Sequence, residues 1–197
     1  WLVEGYGLFR MSPALWLALT IALALMWAVS LVIPVLGPLL FNLLSPALFA
    51  GLMIGCRALE GGAPLEIGHL FAAFKRHAAP LVTVGGVYLV GTVIVVGIVL
   101  VIAGGSMPPG VLTKPGTDIE TLRAAARGMM LAIAVGAVAY LPVLMLVWFA
   151  PMLVVFDGMA PVAAMKLSFA GCVVNTMPFL VYGVAILLAW FLLSLPA

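Results

Sequence analysis

Charged positions divide this chain into long apolar runs. No Asp, Glu, Lys or Arg occurs in residues 11–56, 77–113, 128–156 or 167–197. One helical crossing of a bilayer takes roughly 20 apolar residues. The last three runs therefore predict one crossing each, and the first is long enough for two. The stretch IPVLGPLL (residues 33–40) interrupts that first run near its middle, where Pro34, Gly37 and Pro38 disfavour a continuous helix and predict a tight turn. Five crossings follow, near residues 13–33, 38–58, 79–103, 127–150 and 177–196. A transmembrane β-barrel would alternate polar and apolar positions, whereas residues 93–102 (VIVVGIVLVI) are apolar throughout. The predicted fold class is all-α, a polytopic membrane helical bundle forming a single transmembrane domain over residues 1–197.

Between the apolar runs the pattern shortens. Ile67, Leu70, Phe71 and Phe74 recur at i, i+3, i+4 and i+7, the spacing of one helical face. Glu66, His69, Lys75, Arg76 and His77 occupy the rest. This predicts an amphipathic helix over residues 65–77, lying in the headgroup plane, with Pro80 opening the next span in its first turn. The device recurs. Residues 2–10 carry Phe9 and Arg10 ahead of Pro13, and residues 161–174 place Val162, Met165 and Phe169 on one face, with Lys166 off it and Pro178 following. The second and third copies share a lead-in, GGAP (61–64) and DGMAP (157–161). In both, 16 or 17 residues separate that proline from the one opening the span. The three surface helices precede the first, third and fifth crossings, so the spacing predicts a threefold parallel repeat, its third hairpin incomplete.

Composition agrees and narrows the partners. Apolar residues are 66% of the chain and charged residues 7%, against about 25% charged in soluble domains, so lipid is the solvent for most of this surface. A net charge of +2 is too small to predict a nucleic-acid partner; membrane lipids and other membrane proteins are the partners expected. Basic residues favour cytoplasmic loops. With the N-terminus inside, Arg10, Arg57, Lys75, Arg76 and Lys166 fall on the cytoplasmic side, and Lys114, Arg123 and Arg127 outside, the last two beside Asp118 and Glu120. Arg10, Lys75, Arg76 and Lys166 are the candidate contacts to lipid headgroups.

Other motifs read as packing. Gly51 and Gly55 form a G-x-x-x-G in register with Ala47, and Gly128, Ala132 and Gly136 repeat small residues at the same spacing; such faces let helix backbones approach closely. Thr117 and Glu120 have capping-box spacing. No ionisable residue falls at mid-membrane, where pumps and carriers place theirs. Asn42, Tyr88, Tyr140 and Tyr182 read as interhelical hydrogen-bonding residues. His69 and His77 lack the i, i+4 spacing of a ligand pair. Cys56 and Cys172 lack any metal or redox spacing and read as reduced packing residues at the cytoplasmic boundary. The pattern predicts neither a cofactor, a metal site nor a catalytic constellation.

The segments SFAGCVVN with FLVYG, AGLMIGCRALEGGAP and GYGLFRMSP together resemble a set of uncharacterised proteobacterial inner-membrane proteins, loosely similar to the YciC-type conserved membrane proteins. The resemblance implies a six-helix protein of the inner (cytoplasmic) membrane with no established activity. Two function classes follow: a non-catalytic accessory, assembly or lipid-interacting component, or a small transporter or channel for a small or amphiphilic solute.

Overall fold

A computed structural model describes residues 2–107 and 118–194. The described residues form α1 (Leu2–Met11), α2 (Pro13–Ser30), α3 (Leu36–Glu60), α4 (Ala72–Ser106), α5 (Ile119–Val147), α6 (Ala150–Phe156), α7 (Pro161–Val174) and α8 (Thr176–Ser194), with a short 3-10 helix, Ile67–Phe71, between α3 and α4. No strand occurs among the described residues. The protein is an all-α membrane bundle. Four stretches are long and apolar enough to cross a bilayer: Pro13–Ser30, Leu36–Glu60, Ile67–Ser106 and Ile119–Phe156. α7 and α8 make a fifth when taken together, bent by 75° at Asn175.

Boundaries differ from the sequence expectation where local chemistry intervenes. The turn after α2 ends at Val35, and α3 begins at Leu36, with Pro38 inside its first turn, where a missing N–H leaves no bond unmade. Val35 has φ +68°, and the Leu36 N–H donates to the Pro34 carbonyl at 2.8 Å. This is a strained, positive-φ γ-turn on a β-branched residue. It closes the hairpin so tightly that a Cβ on Gly37 would lie 1.7 Å from the Ser30 carbonyl oxygen. α5 begins at Ile119, within the Thr117–Glu120 stretch where the sequence predicts a helix start, and Asp118 caps it by accepting the Thr121 N–H at 3.1 Å. Asp118 is the cap of α5; the capping-box spacing of Thr117 and Glu120 falls on Thr117, which lies outside the described residues. The expected crossing over 127–150 is also not one straight helix: the chain breaks at Trp148 and Phe149 before α6.

α3, α4 and α5 form the spine. A Cβ on Gly85 of α4 would fall 1.9 Å from the Leu43 carbonyl oxygen of α3. Only glycine permits that approach. Ala47, Ala50, Leu81, Val84, Ala150 and Val154 make the central core. A second cluster, centred on Leu19, Leu48, Leu59, Leu65 and Leu70, joins α2 and α3 to the segment after α3.

The structure builds one series of parts twice. α3 ends in a turn with Gly62 at φ +78°, and α6 ends in a turn with Gly158 at φ +64°. A short helical segment follows each, then a non-helical residue, His77 or Asn175, three positions before Pro80 or Pro178. At the start of the chain only the later parts occur: α1, the non-helical Ser12, then Pro13. The copies diverge after the break. α4 runs along α3 in close contact, whereas α8 swings away and keeps most of its side chains exposed.

Candidate lipid-facing collar

The segment expected to lie in the headgroup plane, residues 65–77, is two unlike pieces. Its first part is the 3-10 helix, capped at Glu66, whose N–H donates to His69 Nδ1 at 2.9 Å, while the Glu66 side chain accepts from the His69 N–H. His69 is therefore the N3 partner in a capping box with Glu66. The second part is the first turn of α4, ending at the kink residue His77 (φ −126°, ψ 21°).

The apolar stripe of this segment does two jobs. Leu65, Leu70 and Ala73 are buried, and Phe74 packs against both core clusters. Ile67 and Phe71 remain about half exposed, at 55% and 47%. The four-residue face read from spacing is thus split, two side chains inward and two outward. A 3-10 helix turns faster than an α-helix, so a stripe assigned at 3.6 residues per turn rotates off its target there.

Gly51 and Gly55 are the seat for this collar. A Cβ on Gly51 would sit 2.4 Å from the Leu70 carbonyl oxygen and 2.5 Å from that of His69; one on Gly55 would meet Leu65 Cδ1 at 2.7 Å. Their neighbour is the collar, not another long helix. On α5 the small residues do face a long helix. Ala132 is fully buried, a Cβ on Gly128 would strike the Ser106 side chain, and one on Gly136 would meet Val99 Cγ2 at 2.4 Å.

Arg10, Lys75, Arg76 and Lys166 are all exposed. Arg10 lies over the Tyr6 ring at 5.8 Å. Arg57, near the end of α3, stacks on Phe156, at the end of α6, at 4.8 Å, a cation–π contact joining the two equivalent helix ends. No described carboxylate forms an ion pair with Lys75, Arg76 or Lys166, whereas Glu120 pairs with both Arg127 (3.1 Å) and Arg123 (3.7 Å). The two charged zones therefore differ in pairing: Arg123 and Arg127 are held by Glu120, whereas Lys75, Arg76 and Lys166 extend without a described ion-pair partner, on the side that also carries Glu60, Glu66 and Asp157.

Of the α7 stripe read as facing the membrane, two side chains are exposed and Met165 is buried. Val162 and Phe169 point outward; the buried stripe is Ala164, Met165, Ser168 and Cys172. Ser168 is fully buried, and its hydroxyl accepts the Phe149 N–H at 2.9 Å and donates to the Met145 carbonyl at 2.7 Å. Met145 and Phe149 are an i, i+4 pair, so this side chain is inserted into the hydrogen-bond ladder where α5 gives way to α6. Cys172 Sγ adds a weaker contact to the same carbonyl at 3.7 Å, and this free thiol is buried among the packed residues of α7. The sequence signal for this joint is Pro151 inside an apolar run, opposite a lone serine in another.

Two further features complete the interior. Tyr88 and Tyr140 join α4 to α5 through their hydroxyls. Beyond Ser168, an apolar groove of about 320 Å³ opens between α5, α7 and α8, lined by residues including Leu141, Met145, Trp148, Cys172, Thr176 and Phe179. Phe179 meets the corner edge-on, 5.5 Å from Trp148 and 5.9 Å from Phe149. Asn42 and Thr176 hydrogen-bond to carbonyls of their own helices or the preceding one.

No protein-family model matches the chain, and no solved structure matches it. Over 199 aligned positions it is 29% identical to a probable inner membrane protein of Burkholderia thailandensis, an alignment covering 99% of this chain and 72% of that relative.

Proposed function

We propose that this is a non-catalytic, multi-pass protein of the bacterial inner membrane, N-terminus in the cytoplasm, whose collar holds anionic lipid headgroups on the cytoplasmic face. The localisation draws on the relative's name and on the apolar helices. The observation that carries the lipid reading is the pairing of exposed Lys75 and Arg76, which form no described ion pair, with exposed Ile67 and Phe71, on a segment whose other face is clamped to α3. Cations at phosphate level with apolar side chains dipping below them is the arrangement of an interfacial anchor. Each basic residue near an anionic leaflet contributes about 1 kcal/mol, so the pair favours anionic over neutral lipid by up to roughly 30-fold. Protein carrying Lys75→Ala and Arg76→Ala should co-purify with a smaller anionic lipid fraction than wild type. The Arg123→Ala/Arg127→Ala protein, altered at the other end where both arginines pair with Glu120, should match wild type. Equal anionic fractions in all three would refute the reading.

A second reading, a small transporter or channel for an amphiphilic solute, draws on the groove between α5, α7 and α8. Its apolar lining suits a hydrocarbon group rather than an ion. Uptake of a fluorescent fatty-acid derivative by proteoliposomes, unchanged when Leu144 is replaced by Trp to fill the groove, would exclude it.

A further inference from the structure

The α2–α3 hairpin is long enough to reach the far side of a bilayer, but its register against α4 places its tip elsewhere. Gly85 of α4 sits against the Leu43 carbonyl of α3, and Ala47 and Ala50 share a core with Leu81 and Val84. The two helices therefore run antiparallel in a fixed register. From Leu43 back to the start of α3 at Leu36 is seven residues, about 10 Å at ~1.5 Å per residue. From Gly85 forward to the end of α4 at Ser106 is three times that, about 32 Å. α5 accompanies α4 all the way, with Gly136 opposite Val99 and Gly128 opposite Ser106. The α4–α5 hairpin thus outreaches the α2–α3 turn by about 20 Å. Lys75 and Arg76 mark one end of α4, and Asp118, Glu120, Arg123 and Arg127 mark the other end of the pair. The turn falls about halfway between these two bands of charge.

Two more observations concern the turn itself. Its tip is wholly apolar: Leu31, Val32, Ile33 and Val35 are 48%, 77%, 55% and 74% exposed, and no polar side chain occurs from Leu31 to Phe41. The outer half of α4–α5 beside it also shows bare aliphatic residues such as Ile94, Val101, Ile133 and Val138. That half is clothed for hydrocarbon, so the turn beside it does not lie at a water boundary. Backbone at membrane depth must satisfy itself, and this turn largely does. The N–H groups of Leu31, Val32, Leu36, Gly37 and Leu39 all donate to nearby carbonyls, and Pro34 and Pro38 have no N–H to satisfy.

We infer that α2–α3 is a re-entrant hairpin: it enters from the side of α1 and the collar, turns at 31–35 near the bilayer midplane, and returns to the same side. The chain then crosses on α4 and α5, and the hairpin displaces acyl chains from one leaflet only. Every charged residue keeps the side that loop charges assign to it, because an in-and-back hairpin and a pair of crossings both return the chain to the same face.

The test uses the full chain with Cys56→Ser and Cys172→Ala, plus one new cysteine: Val32→Cys or Leu36→Cys at the tip, Ile119→Cys beyond α4, Glu60→Cys beyond α3. Sealed vesicles of both orientations are treated with a membrane-impermeant maleimide. Ile119→Cys should label from one face and Glu60→Cys from the other; both tip cysteines should label from neither face until detergent is added. Labelling of either tip cysteine from the Ile119 face, at a rate within a few-fold of Ile119→Cys, would overturn the inference. A nitroxide on each tip cysteine gives an independent reading. Relaxation dominated by oxygen rather than a nickel chelate supports midplane depth, and the reverse refutes it. Depth is measured here without reference to lipid charge, so this result stands or falls separately from the lipid preference of Lys75 and Arg76.

Discussion

Replacing Ser168 with alanine removes one oxygen and tests how a broken helix is held inside a membrane. The hydroxyl is fully buried and bridges the Phe149 N–H and the Met145 carbonyl. Without it both groups lose their partner at the part-buried joint between α5, α6 and α7. Leaving a buried polar group unpaired costs about 1–3 kcal/mol, while interhelical hydrogen bonds within membranes measure closer to 0.6, with a maximum near 1.7 kcal/mol. Direct re-pairing of Phe149 with Met145, an ordinary i, i+4 bond, would recover part of the loss but requires the α5–α6 corner to straighten. The corner is held by Ala150 and Val154 in the core and by Phe179 against Trp148 and Phe149. A net loss of about 1–2 kcal/mol is expected, which for a chain of this size lowers Tm by roughly 2–8 °C. Thermal unfolding in detergent reads the Tm, and amide exchange over 145–153 reads the joint itself. Ser168→Cys, a weaker donor of similar size, should fall between wild type and alanine. If Ser168→Ala leaves both the Tm and the exchange of Phe149 unchanged, the hydroxyl does not sustain the break.

Glycines of one chemistry should respond with opposite signs according to what lies above them. Gly51→Ala forces a Cβ to within 2.4 Å of the Leu70 carbonyl and should destabilise by about 1–3 kcal/mol as an overpacked contact, whereas Gly97→Ala meets nothing within 4 Å and should gain up to about 1 kcal/mol from helix propensity; melting curves in one detergent that shift the same way would refute the assignment of Gly51 as the collar's seat. At the other end of the bundle, the Thr121 hydroxyl and then the Thr121 N–H, both hydrogen-bonded to Asp118, hold that carboxyl below its ordinary range. The cap's contribution is therefore present above the ordinary carboxylate range and is lost as pH falls through the lowered folded value. The extra amide protection of residues 119–122 in wild type over Asp118→Ala should disappear on strong acidification, and a difference that persists there would contradict the role of the ionised cap.

The long elements were legible because charge and proline are cheap to read in an apolar chain. Runs free of Asp, Glu, Lys and Arg marked the helices long enough to cross, and α7 ran from Pro161 to Val174 as its flanking prolines suggested. What the pattern did not give was the inward face. On α7 the stripe read as facing the membrane was Val162, Met165 and Phe169; Val162 and Phe169 are exposed, but Met165 joins Ala164, Ser168 and Cys172 in the buried stripe. In water large apolar side chains turn inward. In lipid they lose nothing by facing out, and close packing then selects the small residues instead. The same inversion explains why Phe71 is exposed while Gly51 and Ala47 are buried. Hydrophobic periodicity is a solvent-dependent instrument, and on this chain small-residue periodicity is the better guide.

Depth was hidden for a related reason. A hairpin of two apolar helices satisfies every compositional test for two crossings, because hydropathy measures how much of a segment tolerates lipid and not how far it reaches. Reach is set by registration against a neighbour, and here the registering residue is Gly85, whose missing side chain lets α4 lie on the Leu43 carbonyl. A larger residue there would have to slide or part the two helices, since its Cβ would fall 1.9 Å from that oxygen, and sliding would carry the apolar tip at Val32 and Val35 to a new depth. Gly85→Ala in the Val32→Cys background separates these responses. Parting the helices lowers stability and leaves the tip inaccessible; sliding toward the far face brings the nickel chelate within reach of the tip. If depth is fixed by this contact, either response must appear, and a variant with unaltered melting and unaltered nitroxide depth would show that something other than Gly85 holds the hairpin in place.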